Sequence, residues 1–262
     1  MAVAALTMIL SSCDNVESLT KKGEEAFELN DYKKAAEYFS KAIEKNPEKA
    51  RMANRMLGII NSQNLNGEGN AEKAVGYFKA ASEQGDSIAP YLLAEAYTRG
   101  EGAEKNTENA IKYYTLSAEA GYPQAMATLG WMYLKGYNGA NKDEAKGIEL
   151  INKSSEAGNA DAVAYLGHAY EYGLGGLEKN ESAALDLYNR SIDEGSKEGK
   201  AMLGLDYAFG YIGLTPDISK GENLIKESIE EGSSLGMRYM GHLYSNNKIT
   251  AGNGTDNHTA AL

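Results

Sequence analysis

The feature that most constrains this chain is a self-similarity at a period of 36 to 37 residues. A motif of Leu or Met, then Gly or Ala, then two residues and Tyr occurs as Leu93-Ala94 with Tyr97, Leu129-Gly130 with Tyr133, Leu166-Gly167 with Tyr170, Leu203-Gly204 with Tyr207 and Met240-Gly241 with Tyr244. Its small residues stand 36, 37, 37 and 37 positions apart, and Leu57-Gly58 begins the series one period earlier with Asn61 in place of Tyr. A second series, Gly85, Gly121, Gly158, Gly195 and Gly232, closes each period. Eleven residues before each of these stands a small residue (Ala74, Ala110, Gly147, Ala184, Gly221), and seven and eight before stand large ones (Tyr77-Phe78, Tyr113-Tyr114, Leu150-Ile151, Leu187-Tyr188, Leu224-Ile225). Two before is always acidic: Glu83, Glu119, Glu156, Asp193, Glu230. Such a period means one supersecondary unit, repeated, with each copy burying its apolar face on the next.

Each unit reads as two helices. Helix A carries the Leu-Gly-x-x-Tyr motif, whose apolar letters share one helical stripe and whose Gly lets a neighbouring helix come close. Helix B carries the small residue and the large pair, and the Gly after it suits a left-handed cap. Between them lie Gly-rich loops, such as Gly100-Glu101-Gly102 and Gly173-Leu174-Gly175. These follow a helix instead of a strand, so they lack the setting of a dinucleotide cradle.

Upstream, Gly23, Ala26, Tyr32, Ala35-Ala36, Phe39, Ala42 and Pro47 fall in the pattern of a tetratricopeptide (TPR) unit. The longer units resemble Sel1-like repeats, relatives of TPR with a longer, Gly-containing inter-helix loop. The resemblance implies an all-α fold, a right-handed α-α superhelix of about thirteen helices. The expected organisation is a leader over residues 1–13, a TPR-like helix pair over 14–47, Sel1-like repeats over 48–247 (five plus a terminal helix A), and a polar, disordered tail over 248–262. The scarcity of Pro, 4 in 262 residues, suits a nearly all-helical chain, and the 29 Gly are mostly repeat positions counted several times.

Charge and composition remove several function classes. A net charge of −11 leaves no basic footprint for releasing counterions from a nucleic acid, so no nucleic-acid partner is expected. One Cys makes neither an intramolecular disulfide nor a Cys-based zinc site. His168 and His242 hold the same slot two repeats apart and should lie on the order of 20 Å from each other, given helices packed ~8–10 Å apart. No metal and no cofactor are therefore expected. Asn64, Asn66, Glu68, Asn70 and Glu72 alternate like calcium ligands, but Val75 stands where a calcium loop needs Glu. Ser18-Leu19-Thr20-Lys21 matches Ser-x-x-Lys without the companion motifs of penicillin-recognising enzymes.

The amino terminus, MAVAALTMIL followed by Ser11-Ser12-Cys13, resembles the lipobox of a bacterial lipoprotein, although no Lys or Arg precedes the apolar run. That resemblance implies a lipid on Cys13, a membrane anchor and a place in the bacterial cell envelope, on either the inner or the outer membrane.

In TPR proteins, helix A positions just after the Gly, three and four residues later, and four before, line the concave groove. The similar positions here are Tyr91, Glu95 and Arg99; Trp131, Leu134 and Lys135; His168, Glu171 and Tyr172; Leu205, Ala208 and Phe209; and Arg238 with His242. Trp, Tyr and Arg are the usual anchors of interfaces. The candidate partner-binding residues are thus Tyr91, Arg99, Trp131, Leu134, His168, Tyr172, Leu205, Phe209 and Arg238, although the same side chains could pack between adjacent A helices. The expected function is non-enzymatic binding of a protein or peptide, as an envelope adaptor. The alternatives are a β-lactam or peptidoglycan hydrolase, which needs a nucleophile–base pair in a pocket, and a glycan binder, which needs exposed faces among Tyr91, Tyr122, Tyr137, Tyr172 and Tyr211.

Overall fold

A computed structural model describes residues 15–249. The leader, with Cys13, and the tail beyond Ile249 lie outside the described residues. Among the described residues there are thirteen α-helices and one 3-10 turn. They run α1 (Val16–Glu28), α2 (Tyr32–Lys45), α3 (Arg51–Ser62), α4 (Ala71–Glu83), α5 (Ala89–Arg99), α6 (Thr107–Glu119), α7 (Pro123–Lys135), α8 (Glu144–Glu156), α9 (Ala160–Tyr172), α10 (Glu181–Asp193), α11 (Lys197–Phe209), α12 (Ile218–Glu230) and α13 (Ser234–Ser245). Odd-numbered helices are A, even-numbered are B. The chain forms two compact units, one up to Ala125 and one from Met126, with the division inside α7. No described helix is long and apolar enough to cross a membrane.

The start and stop of each helix follow from the repeat. Every B helix opens on an Asn or Asp N-cap (Asp31, Asn70, Asn106, Asp143, Asn180, Asp217), whose side-chain oxygen accepts the amide three residues on. From the third pair onward the cap also closes the A–B loop: the amides of Asn106, Asp143, Asn180 and Asp217 donate to the carbonyls of the motif tyrosines Tyr97, Tyr133, Tyr170 and Tyr207 at 3.0, 2.9, 2.8 and 2.7 Å. The Gly after each B helix from α4 onward is left-handed, with φ of 78° at Gly85 and 89° at Gly195. The asparagines that alternate like calcium ligands serve the loop itself: Asn64 accepts from the Gly69 amide, Asn66 from Glu68 and Asn70 from Lys73.

Within a repeat, A and B meet at the motif Gly in two ways. In one, the B helix offers Ala and an aromatic four residues later. Phe39 and Phe78 press on Gly23 and Gly58, and Tyr188 on Gly167, where an added Cβ would come within 3.0 Å of the ring. In the other, the B helix offers Gly and Ile, and the backbones themselves touch. A Cβ on Gly130 would lie 2.9 Å from the Gly147 carbonyl oxygen and 2.9 Å from Ile151, and Gly204 meets Gly221 and Ile225 in the same manner. All six large residues in this B slot, Phe39, Phe78, Tyr114, Ile151, Tyr188 and Ile225, are buried. The ring fills the space that a second Gly otherwise collapses, so volume is conserved across the two variants.

Successive repeats are joined by polar contacts as well. In the second unit, Ser196 caps α11 and donates its hydroxyl to Asp161 of α9 at 2.8 Å. One repeat later Ser233 caps α13 and donates to Glu198 of α11 at 2.8 Å. Each hydroxyl accepts the amide of its own helix and donates to the acid of the preceding A helix.

Two glycine substitutions separate crowding from propensity. Gly221→Ala places a methyl on the Gly204 carbonyl and 2.8 Å from the Ala208 amide, and is expected to cost about 1–3 kcal/mol in urea unfolding. Gly76→Ala, on an exposed face of α4 with nothing near the added methyl, is expected to gain about 0.5–1 kcal/mol.

Candidate functional site

The A-helix face was the expected contact surface, and the structure divides its residues by depth. Counting from the motif Gly, positions one and four residues later turn inward in the central repeats. Trp131 is 5% exposed, Leu134 is fully buried and His168 is 7% exposed. These three are withdrawn from the contact surface. Trp131 lies against Tyr165 of the next A helix, ring centroids 4.6 Å apart and 16° from parallel, and the backbone of Leu134 lies against Gly147. Neighbouring A helices pack closely enough to cover the first turn of the ladder.

What stays open is the position five residues after the Gly, at the carboxyl end of each A helix. Arg99, Lys135 and Tyr172 are exposed there, Tyr172 at 53%, and Phe209 is half-buried. Leu205 is half-buried, while Arg238 and His242 are exposed. Phe209 stacks on Tyr211 at 5.4 Å and on His242 at 5.2 Å, with the Lys248 ammonium 5.0 Å from its ring. Of the tyrosines named for glycan stacking, Tyr172 and Tyr211 are exposed and Tyr91, Tyr122 and Tyr137 are half-buried.

In the first unit, Tyr91, Glu95 and Arg99 line one recess of about 290 Å³ between α3 and α5, floored by Ala74, Val75 and Phe78. Glu95 accepts from the Tyr114 phenol and pairs with Arg99 at 2.6 Å. The recess is therefore apolar at its base and charged at its rim, the layout of a pocket that seats one side chain. Tyr91 is held in place by rings on both sides, Tyr114 at 5.7 Å and Tyr122 at 5.4 Å.

In the second unit, a polar cluster lies beneath Tyr172. The Lys135 ammonium is 3.1 Å from His168 Nε2. An ammonium only donates, so Nε2 holds the lone pair and the imidazole proton sits on Nδ1, which faces Glu171 at 3.8 Å. Burial, helped by the Lys135 charge, lowers the His168 pKa to about 3, so the ring is neutral. Burial also lowers Lys135 and raises Glu171 from their ordinary values. Glu171 accepts from the Tyr188 phenol at 2.6 Å and also interacts with the Tyr172 phenol. The next acid, Asp206 on α11, is 2% exposed and its Oδ2 has no hydrogen-bond partner. Burial, followed by the nearby Glu171, pushes its pKa up to about 8. Nothing in the ladder pattern pointed to Asp206. The signal was in another column: two residues after the motif small residue stand Ile60, Ala96, Met132, Ala169 and Leu243, all buried, and Asp206 is the one buried carboxyl among them, Glu25 at the same place in the first pair being exposed. Among the described residues no group of three or more His, Cys, Asp or Glu is arranged to hold a metal ion.

The two shifts set opposite pH dependences. Folded Asp206 keeps a proton that the unfolded chain loses above about 3.8, so its contribution to stability falls as pH rises from there to about 8. Folded His168 refuses a proton that the unfolded chain takes below about 6.5, so its contribution falls as pH drops below that value. The two oppose each other at acid pH, and from 6.5 to 8 the Asp206 effect stands alone. Stability is expected to fall there by up to ~1.4 kcal/mol per pH unit. In Asp206→Leu, that slope in urea-unfolding free energy should vanish.

Comparison with known proteins agrees with this architecture. A family profile described as Sel1 repeat matches residues 22–47, 51–86, 87–122, 123–159, 160–196 and 198–233. The first match falls on the helix pair compared above with TPR. No curated protein matches the chain. Among solved structures, a Sel1 repeat protein from Oxalobacter formigenes is 23% identical over 82% of this chain and 85% of its own, with a TM-score of 0.68. The protein c5321, a protective antigen present in uropathogenic Escherichia coli strains and displaying an SLR fold, is 25% identical over 98% of this chain, with a TM-score of 0.63. This chain spans about half of that protein's length, 54%. An immunity protein of Pseudomonas aeruginosa, PA5088, is 16% identical over 85% of this chain and 88% of its own, with a TM-score of 0.51. The fold is thus an all-helical solenoid of the Sel1/TPR kind. Sel1 repeat proteins are generally non-enzymatic scaffolds for protein–protein interaction. The profile matches cover well over half of the sequence, and the chain belongs to the Sel1 repeat family.

Proposed function

We propose that this protein is a non-enzymatic adaptor of a bacterial cell envelope, held to a membrane by a lipid on Cys13, which captures an extended segment of a partner protein along its A helices. The observation that carries the binding part is the open position at the ends of successive A helices in the second unit, where Tyr172 is exposed and Phe209 half-buried at the same register. Rigid helices hold these anchors, so little backbone ordering is required on docking. The anchor rests on Leu10-Ser11-Ser12-Cys13, where the chain's one Cys follows an apolar run and two small residues. An exterior position also suits the likeness to c5321, a protective antigen.

Crosslinked pull-down from native membranes tests both parts. Tyr172→Ala and Phe209→Ala are expected each to weaken capture about tenfold, the effect of losing an interface anchor worth ~1.4 kcal/mol, with the thermal midpoint little changed. Cys13→Ala should move the protein from the membrane to the soluble fraction while a purified partner still binds. Undiminished capture by both alanine variants would remove the A-helix row from the interface.

A further inference from the structure

In the second unit, one exposed amine has a base for its partner. Lys135, the last residue of α7, is exposed, and its Nζ lies 3.1 Å from Nε2 of His168 on α9. Other ammonium groups of this unit meet carboxylates instead: Lys142, Lys153, Lys179, Lys200 and Lys226 each lie within 2.7 Å of a Glu oxygen. A carboxylate keeps an amine charged and unreactive, and Lys179, Lys200 and Lys226 are raised from their ordinary values in that way. A neutral imidazole has no such effect. Lys135 is instead lowered, by burial first and then by the charges of Lys142 and Arg238, with Glu171 and Glu144 acting in the opposite sense.

The imidazole is held in place from several sides. Its centroid is 4.9 Å from that of Trp131, with the ring planes 70° apart, and 4.5 Å from that of Tyr172. Its Nδ1 faces Glu171 at 3.8 Å, and Glu171 accepts from the Tyr188 phenol at 2.6 Å. Amine, base and orienting acid thus follow one another through space, which is the arrangement that activates a weak nucleophile. We propose that Lys135 is a site of covalent acylation, taking an acyl group from an activated ester or thioester with His168 Nε2 as the proton acceptor. The free amine donates one N–H to Nε2 and keeps its own lone pair for the carbonyl carbon. As the Nζ–C bond forms, that proton passes to Nε2. As the C–O or C–S bond breaks, the proton moves on to the departing alcohol or thiol. The products are an amide and the protonated leaving group, and no oxidant or reductant is needed. The exposed ring of Tyr172, its centre 5.9 Å from Nζ, gives the acyl donor an apolar surface to approach along. Acylation cancels a positive charge at the open carboxyl end of an A helix, so it alters the charge of that surface.

The test uses the full chain and substoichiometric p-nitrophenyl acetate at pH 8, with acetylated lysines mapped by peptide mass spectrometry. Lys153 and Lys179, both exposed and both paired with carboxylates, serve as standards within the same molecule. Lys135 should be acetylated about a hundredfold faster than either, the lower end of what a positioned base contributes. In His168→Gln, whose side-chain oxygen accepts an N–H but cannot take the proton, that advantage should shrink to a few-fold while the two standards keep their rates. The wild-type comparison needs no variant, so it decides the matter even where His168→Gln loses stability. Wild-type Lys135 reacting no faster than Lys153 and Lys179, or an undiminished advantage in His168→Gln, would overturn the proposal. The probe involves no partner protein, so a loss of capture by the Tyr172 and Phe209 variants stands or falls separately.

Discussion

The approach of helix A to helix B at the motif Gly is the contact on which everything else in this structure depends. Where the Gly faces a ring or an Ile from helix B, the two helices lock at short range, and the rest of the A helix is held at a set depth and rotation. That rotation decides which residues turn towards the next A helix and which remain at the surface. It places the carboxyl ends of the A helices, with Arg99, Tyr172 and Phe209, where a partner can reach them. It also places Asp206 in a column meant for apolar side chains.

The two solutions at this contact show how a repeat tolerates variety. An Ala with an aromatic and a Gly with an Ile fill the same interhelical volume by different means. The choice then propagates to helix A. Opposite the phenol of Tyr114 the A helix supplies Glu95, with Thr98 also nearby, and opposite that of Tyr188 it supplies Glu171. Opposite Ile151 and Ile225, the residue corresponding to Thr98 and Glu171 is Leu134 or Ala208, both fully buried. A buried hydroxyl needs a partner and the sec-butyl group of an isoleucine does not. The acid beside Tyr188 is thus first a structural requirement, and the polar cluster of the second unit grows around it.

Much of the fold was legible because the repeat presents each constraint several times. Five copies of the Leu-Gly-x-x-Tyr motif, the first four each answered by a small residue and a large pair, specify antiparallel helix pairs and their order. The row of Asn and Asp caps was equally periodic but lay outside the apolar columns on which the reading was built. The site was less legible, for a geometric reason. Helical periodicity says which residues share a face, and it does not say how much of that face the next helix covers. Trp131, Leu134 and His168 share a face with Tyr172, yet Tyr165 and its neighbours cover the first three and leave the last. Asp206 could have been found by reading the column two residues after the motif small residue, where from Ile60 to Leu243 its carboxyl interrupts a run of hydrocarbon.

The serine caps of the second unit reach beyond the repeat that carries them. Ser196 is satisfied only because the preceding A helix offers Asp161, and Ser233 only because the one before it offers Glu198. The last A helix has Leu235 at the corresponding position, which offers no acceptor to a following serine. These two junctions therefore carry a directional key, a donor on one module matched to an acceptor on the module before it. Modules with such keys are not interchangeable: a repeat duplicated after α13, or moved from elsewhere in the array, would meet an unmatched face. The second unit is modular in its architecture but ordered in its chemistry, and the order of its repeats is constrained by the same small polar contacts that hold neighbours together.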